Sequence, residues 1–209
     1  MCVNGNVVIV GAWGTDTGHN ATGMAYLYRF TGSSWKEEAK LLAGDVAKGK
    51  GDRFGLAVAV SGDVAIVGAP DDDANIENAG SAYIFRYNGS SWRQEAKLSF
   101  EGTTPSTGAY WGSAVAVEQN IAIIGAPFNN YDNVFGDDES GSVPGAAYIY
   151  RWDGTVWREQ KILAASDGTS NNCFGAAVSI SGRLAIIGAP ASARYNYYTD
   201  GAAYVYVLD

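Results

Sequence analysis

The chain has 209 residues, a formal net charge of −8, and 47% apolar against 17% charged residues. The acidic balance argues against nucleic acid and against an anionic membrane surface, since both want clustered Lys and Arg. The apolar share argues against disorder, and no apolar run approaches the ~20 residues that cross a bilayer.

The opening "MCVNGNVV" enters a strand at once, so no signal-peptide pattern is read there. The next run, "VVIVGAW" at 7–13, returns as "VAIVGAP" at 64–70, "IAIIGAP" at 121–127 and "LAIIGAP" at 184–190. The shared glycines are Gly11, Gly68, Gly125 and Gly188, in steps of 57, 57 and 63. Further markers keep the same order. They are Ala-Tyr (Ala25, Ala82, Ala147, Ala203 with the Tyr that follows each), Trp (Trp35, Trp92, Trp157) and aromatic-Gly (Phe54-Gly55, Trp111-Gly112, Phe174-Gly175). Self-similarity at a fixed period is the signature of a repeat architecture.

One full unit runs from Phe54 to Phe100. Run A is "FGLAVAV", followed by the turn Ser61-Gly62-Asp63. Run B is "VAIVGAP", followed by a variable acidic loop. Run C is "SAYIFRY", followed by the turn Asn88-Gly89, and run D is "SSWRQEAKLS". Val, Ile, Tyr and Phe favour strands. The C–D turns Thr31-Gly32, Asn88-Gly89 and Asp153-Gly154 read as type I′ hairpins, which need positive φ at both central residues. Each unit is therefore expected to be a four-stranded antiparallel meander. Run D contains helix formers, but it follows a hairpin turn at a fixed offset in three copies and is too short for an isolated helix. Runs A and B are apolar on both faces and should be covered on both, whereas run D alternates and should be half-exposed. Blades arranged radially give that gradient, so the expected fold is all-β, a β-propeller or propeller segment. Blades are expected over about 1–50 (lacking most of strand A), 51–107, 108–170 and 171–209 (lacking strand D).

The pairing of Phe54-Gly55 with Gly68-Ala69-Pro70, Trp111-Gly112 with Gly125-Ala126-Pro127, and Phe174-Gly175 with Gly188-Ala189-Pro190 resembles the FG-GAP repeat, the blade unit of the integrin α-subunit propeller. The first copy keeps only Gly11-Ala12, with Trp13 in place of Pro. The resemblance covers essentially the whole chain and implies an extracellular or cell-surface module. It also implies that the B–C and D–A loops share one ligand-bearing face, for a protein or glycan partner. Propellers of this family commonly have seven blades, so the resemblance also leaves open self-association through unpaired blade edges. Integrin-type blades often carry an acidic calcium loop before the GAP strand. Here that place holds Asn4-Gly5-Asn6, Ser61-Gly62-Asp63, Glu118-Gln119-Asn120 and Ser181-Gly182-Arg183. Calcium takes about six to eight oxygens, so neither calcium nor any other cofactor is carried over.

Aromatic residues of the B–C loops, Trp13, Tyr131, Phe135, Tyr195, Tyr197 and Tyr198, are the candidate ligand contacts, because exposed rings stack on sugars or anchor a protein. Local loop packing is the simpler alternative. Asp71 and Asp73 in the second unit, and Asp137 and Asp138 in the third, are weak candidates for a divalent cation, against the plainer role of a solvated acidic loop. Asn20 and Asn88 sit in N-x-S/T sequons, although Asn88 already has a turn to make. Cys2 and Cys173 do not form a disulfide framework. Catalysis is poorly supported. His19 is the only histidine, it has no partner at a telling spacing, and Cys173 lacks a placed base. The leading reading is a non-enzymatic recognition module. The alternatives are a structural subunit of a fibre or surface layer, and an accessory propeller of a larger secreted enzyme.

Overall fold

The computed structural model describes residues 1–15, 22–45, 51–73, 78–100, 109–128, 145–166, 173–190 and 201–208. Among these are fifteen strands and no helix. Blade 1 is β1 (Cys2–Asn4), β2 (Val7–Ala12), β3 (Met24–Phe30) and β4 (Trp35–Leu41). Blade 2 is β5 (Val58–Ser61), β6 (Val64–Ala69), β7 (Ser81–Tyr87) and β8 (Trp92–Ser99). Blade 3 is β9 (Ala114–Glu118), β10 (Ile121–Ala126), β11 (Ala146–Trp152) and β12 (Trp157–Leu163). Blade 4 is β13 (Ala177–Ser181), β14 (Leu184–Ala189) and β15 (Ala202–Val207). Strands pair antiparallel in chain order, so each blade is a meander, four-stranded except for the last. The strands β1, β5, β9 and β13 follow one another as neighbours, which places the A strands innermost.

Run D is strand in all three copies, despite its Glu, Ala and Lys, because register pairing with strand C overrides weak propensity. The pairing slips once in each copy, between Leu27/Tyr28, Ile84/Phe85 and Ile149/Tyr150. The unpaired residues are Glu38, Glu95 and Gln160. A bulge re-aims its side chain, and Glu38 and Glu95 are aimed at the tryptophan of the next blade.

The C–D connections differ from the expected type I′ hairpin. They are four-residue loops closed by Thr31 N to Ser34 O, Asn88 N to Ser91 O and Asp153 N to Val156 O. In them Gly32, Gly89 and Gly154 have positive φ, but the residues before them do not. Side-chain acceptors explain the change, because Asn88 Oδ1 accepts from Ser90 N and Ser91 N and Asp153 Oδ1 accepts from Thr155 N and Val156 N. An Asx turn supplies locally what the I′ geometry would otherwise provide.

The two halves of the repeated motif turn out to be the two sides of one blade interface. Phe54, leading blade 2, is buried among Val7, Ile9 and Leu27 of blade 1 and Val60 and Val67 of its own blade. It meets Tyr83 and Phe85 edge-on at 5.3 and 6.1 Å. Trp111 with Tyr148 and Tyr150, and Phe174 with Tyr204 and Tyr206, repeat the wedge. The glycines let the backbones touch. A Cβ on Gly68 would lie 2.0 Å from the Gly112 carbonyl oxygen, and one on Gly125 would lie 2.0 Å from that of Gly175.

Coverage on both faces holds for blades 2 and 3, whose β6 and β10 are almost wholly buried. It does not hold at the ends. In β14 and β15 of blade 4 burial alternates, and in blade 1 the face carrying Val3 and Val8 is open. The sequence pattern is the same in all four copies; what differs is that the end blades each have one neighbour among the described residues.

Candidate functional site

The B–C and D–A connections emerge at one end of every blade, and the short A–B and C–D turns emerge at the other. At the loop end, the D–A segment of blade 1 and the B–C segment of blade 2 are joined by charge. Lys97 Nζ, from β8, bonds both Asp45 and, at 2.8 Å, Asp72 Oδ2. The Tyr83 hydroxyl lies 2.6 Å from Asp72 Oδ2 and 2.9 Å from Asp45 Oδ1, sharing its one proton between them. Arg53 pairs with Asp71, and Asp73 Oδ1 accepts from Asn78 N at 2.7 Å, closing the acidic loop on itself. Asp71, Asp72 and Asp73 thus face separate partners rather than one shared centre. Among the described residues no cluster of three or more His, Cys, Asp or Glu is placed to hold a metal ion.

The electrostatics of this latch follow from burial and pairing. Burial pulls the Lys97 ammonium down, but its bonds to Asp45 and Asp72 outweigh that and raise it overall. Burial likewise raises Asp45, yet the bonds from Lys97 and Tyr83 hold it below its usual value. Burial, then the neighbouring Asp72, drives Tyr83 far up, so it stays a neutral donor. Asp52 is buried beside the same group; burial first, then the charges of Asp72 and Asp73, push it up to about 6.

Among the sequence-based ligand candidates, Trp13 lies at this loop end, just past β2, and is 49% exposed. Tyr131, Phe135, Tyr195, Tyr197, Tyr198, Asp137, Asp138, Asn20 and His19 lie outside the described residues. Asn88 is exposed at the opposite, turn end, with its carbonyl oxygen engaged in the turn. Cys2 and Cys173 are both free thiols, and Cys173 is buried.

Sequence reasoning missed Asp45, Asp52, Tyr83 and Lys97 as a group. Their spacing carries no local signal, since Lys97 lies beyond a whole blade from Asp45. Two grooves lie away from the loops. One, about 430 Å³, runs along the outer rim between blades 2 and 3, beside Leu98, Tyr150, Trp157 and Glu159. The other, about 340 Å³, lies at the turn end beside Glu118, Arg151 and Arg183. Neither groove brings a nucleophile to a base.

A family model described as the FG-GAP repeat matches residues 35–85, 92–150 and 157–206. Each match starts at the tryptophan of strand D and runs into strand C of the next blade. The unit it describes therefore spans a blade boundary and contains one complete aromatic wedge. No curated protein matches the chain.

Proposed function

The chain belongs to the FG-GAP repeat family, and from that premise we propose that it is a non-enzymatic extracellular recognition module, binding a protein or glycan with its loop end. Repeats of this family are typical of extracellular or surface proteins and make propeller-type interaction modules. The observation that carries the reading is the latch of Asp45, Asp72, Tyr83 and Lys97. It ties the loop of one blade to the loop of the next, so neighbouring loops form one platform on a rigid scaffold, which is where binding residues concentrate. Trp13 stands exposed at that end, and a rigid aromatic is the usual anchor of a binding surface.

The test is binding of the labelled chain to a glycan array and to a panel of extracellular-matrix glycoproteins. Wild type and a turn-end variant, Asn88→Asp, should bind one of these alike. A loop-end variant, Trp13→Ser, should weaken that binding at least tenfold. Failure to bind any probe, or a loss confined to the turn-end variant, would overturn the reading.

A further inference from the structure

Blade 4 presents a bare apolar sheet to solvent, with Leu184 and Ile186 each 49% exposed and Val205 and Val207 at 64% and 66%. The equivalent positions in the other blades are interior. They are Val7, Ile9 and Leu27 in blade 1, Val64, Ile66 and Ile84 in blade 2, and Ile123 and Ile149 in blade 3. In each case the following blade covers them. Blade 1 presents the opposite half of the same interface. Val3 is 63% exposed, and Val8, Val10, Tyr26 and Tyr28 are part-exposed. Their equivalents Val60, Ala65, Val67, Tyr83 and Phe85 are buried against blade 1.

We propose that the bare face of blade 4 takes blade 1 of a second copy of this chain, and that two copies close head-to-tail. The contact would continue an interface the chain already makes three times, and three repeated details point the same way. Trp92 and Trp157 are 8% and 7% exposed because a preceding blade covers them, whereas Trp35 is 48% exposed. Along the turn end, the last residue of each A strand accepts from the next A–B turn. Asn4 Oδ1 takes Gly62 N, Ser61 Oγ takes Gln119 N, and Glu118 Oε2 takes Gly182 N. The next acceptor in that series is Ser181, and the matching donor is the Gly5 amide of a following copy. Finally, a Cβ on Gly188 would meet nothing nearer than Ala177 Cβ at 3.2 Å. The space that Gly112 and Gly175 fill against Gly68 and Gly125 is open there.

Two copies joined this way place eight blades round one axis, within the ~4–8 that propellers hold. The contact is heterologous, and a two-fold arrangement closes it. No aromatic-Gly turn precedes β1 to act as a wedge, so this interface is weaker than the three internal ones and sensitive to concentration.

Light-scattering mass of the 209-residue chain across a dilution series tests this. The expected mass is twice the 22.0 kDa chain, falling toward one chain on dilution. Ile186→Arg and Val3→Arg change residues already exposed in the single chain, so circular dichroism and melting should be unchanged. Each variant alone should remain at one chain. Mixed, they should recover two, because each keeps the face the other has lost. A single-chain mass for wild type at every concentration overturns the proposal. So does a Val3→Arg variant that still dimerises, which would mean blade 4 packs on blade 4. A mass climbing without limit overturns the two-chain closure.

Discussion

The Trp92 indole N–H donates to Glu38 Oε2 at 2.9 Å, across the boundary between blades 1 and 2. The same Glu38 holds Arg29 at 2.6 Å through Oε1, and the Arg29 guanidinium sits 5.0 Å from the Tyr87 ring centre. The next boundary repeats every part, with Trp157 on Glu95 at 2.8 Å, Arg86 on Glu95 at 2.6 Å and Arg86 over Trp152 at 5.2 Å. One carboxylate thus ties its own blade's arginine to the next blade's tryptophan, and the bulge at Glu38 or Glu95 makes that aim possible.

Removing this carboxylate strands two donors that have left water. Glu38→Ala should destabilise the chain by about 1–3 kcal/mol, and Glu38→Gln by less, read by denaturant unfolding. The acid limb offers a second readout. Burial raises the Glu38 carboxyl, but the bonds from Arg29 and Trp92 outweigh that and leave it below its usual value of 4.5. Its contribution is present above that value and is lost as pH falls through the depressed one. Glu38→Gln should therefore flatten the loss of melting temperature below pH 4.5; an unchanged acid limb would contradict the pairing.

Asp52 acts with the opposite sign. Its carboxyl is raised from 3.8 to about 6, so ionisation costs the folded state more than the unfolded one. Stability contributed at low pH is lost as pH rises from about 4 to about 6, and it stays lost above that window. Asp52→Asn should stabilise the chain at pH 8 by about 1–3 kcal/mol and leave it nearly unchanged at pH 4. Melting temperatures at the two pH values check this.

The glycine contacts predict a contrast between copies of one motif. Gly68→Ala would drive a methyl into the Gly112 carbonyl, a backbone that cannot swing aside, and should cost more than about 2 kcal/mol. Gly188→Ala meets only a side-chain methyl and should stay within about 1 kcal/mol. Equal costs at the two positions would mean the blades do not touch as described.

Trp111 is fully buried and its indole nitrogen has no hydrogen-bond partner among the described residues. The other two wedges are Phe54 and Phe174, which need none. Trp111→Phe should be tolerated within about 1.5 kcal/mol, because the lost volume is partly offset by removing a stranded donor. Trp111→Ala should cost about 3–5 kcal/mol.

Much of this architecture is written locally. The strands, their order and the outward fall in burial follow from apolar runs and Gly-marked turns, because strand pairing within a meander joins near neighbours. The recurrent tryptophan was legible as a marker, but its acceptor was not. Glu37 and Glu38 are adjacent and chemically alike, and only a bulge decides which one faces inward. The latch on Lys97 was hidden for a related reason, since it joins loops of two blades and occurs at one boundary only. Between blades 2 and 3 its place is apolar, with Phe100 against Tyr148 at 6.0 Å.

The most direct measurement is indole N–H exchange by nitrogen-15 NMR at low concentration, with the six tryptophans assigned by single Trp→Phe variants. Stacked and clasped blades predict slow exchange at Trp92, Trp111 and Trp157 and loss of the Trp13 and Trp35 signals at once in heavy water. Fast exchange at Trp92 and Trp157, or protection of Trp35 equal to theirs, would contradict the blade stack and its open first face.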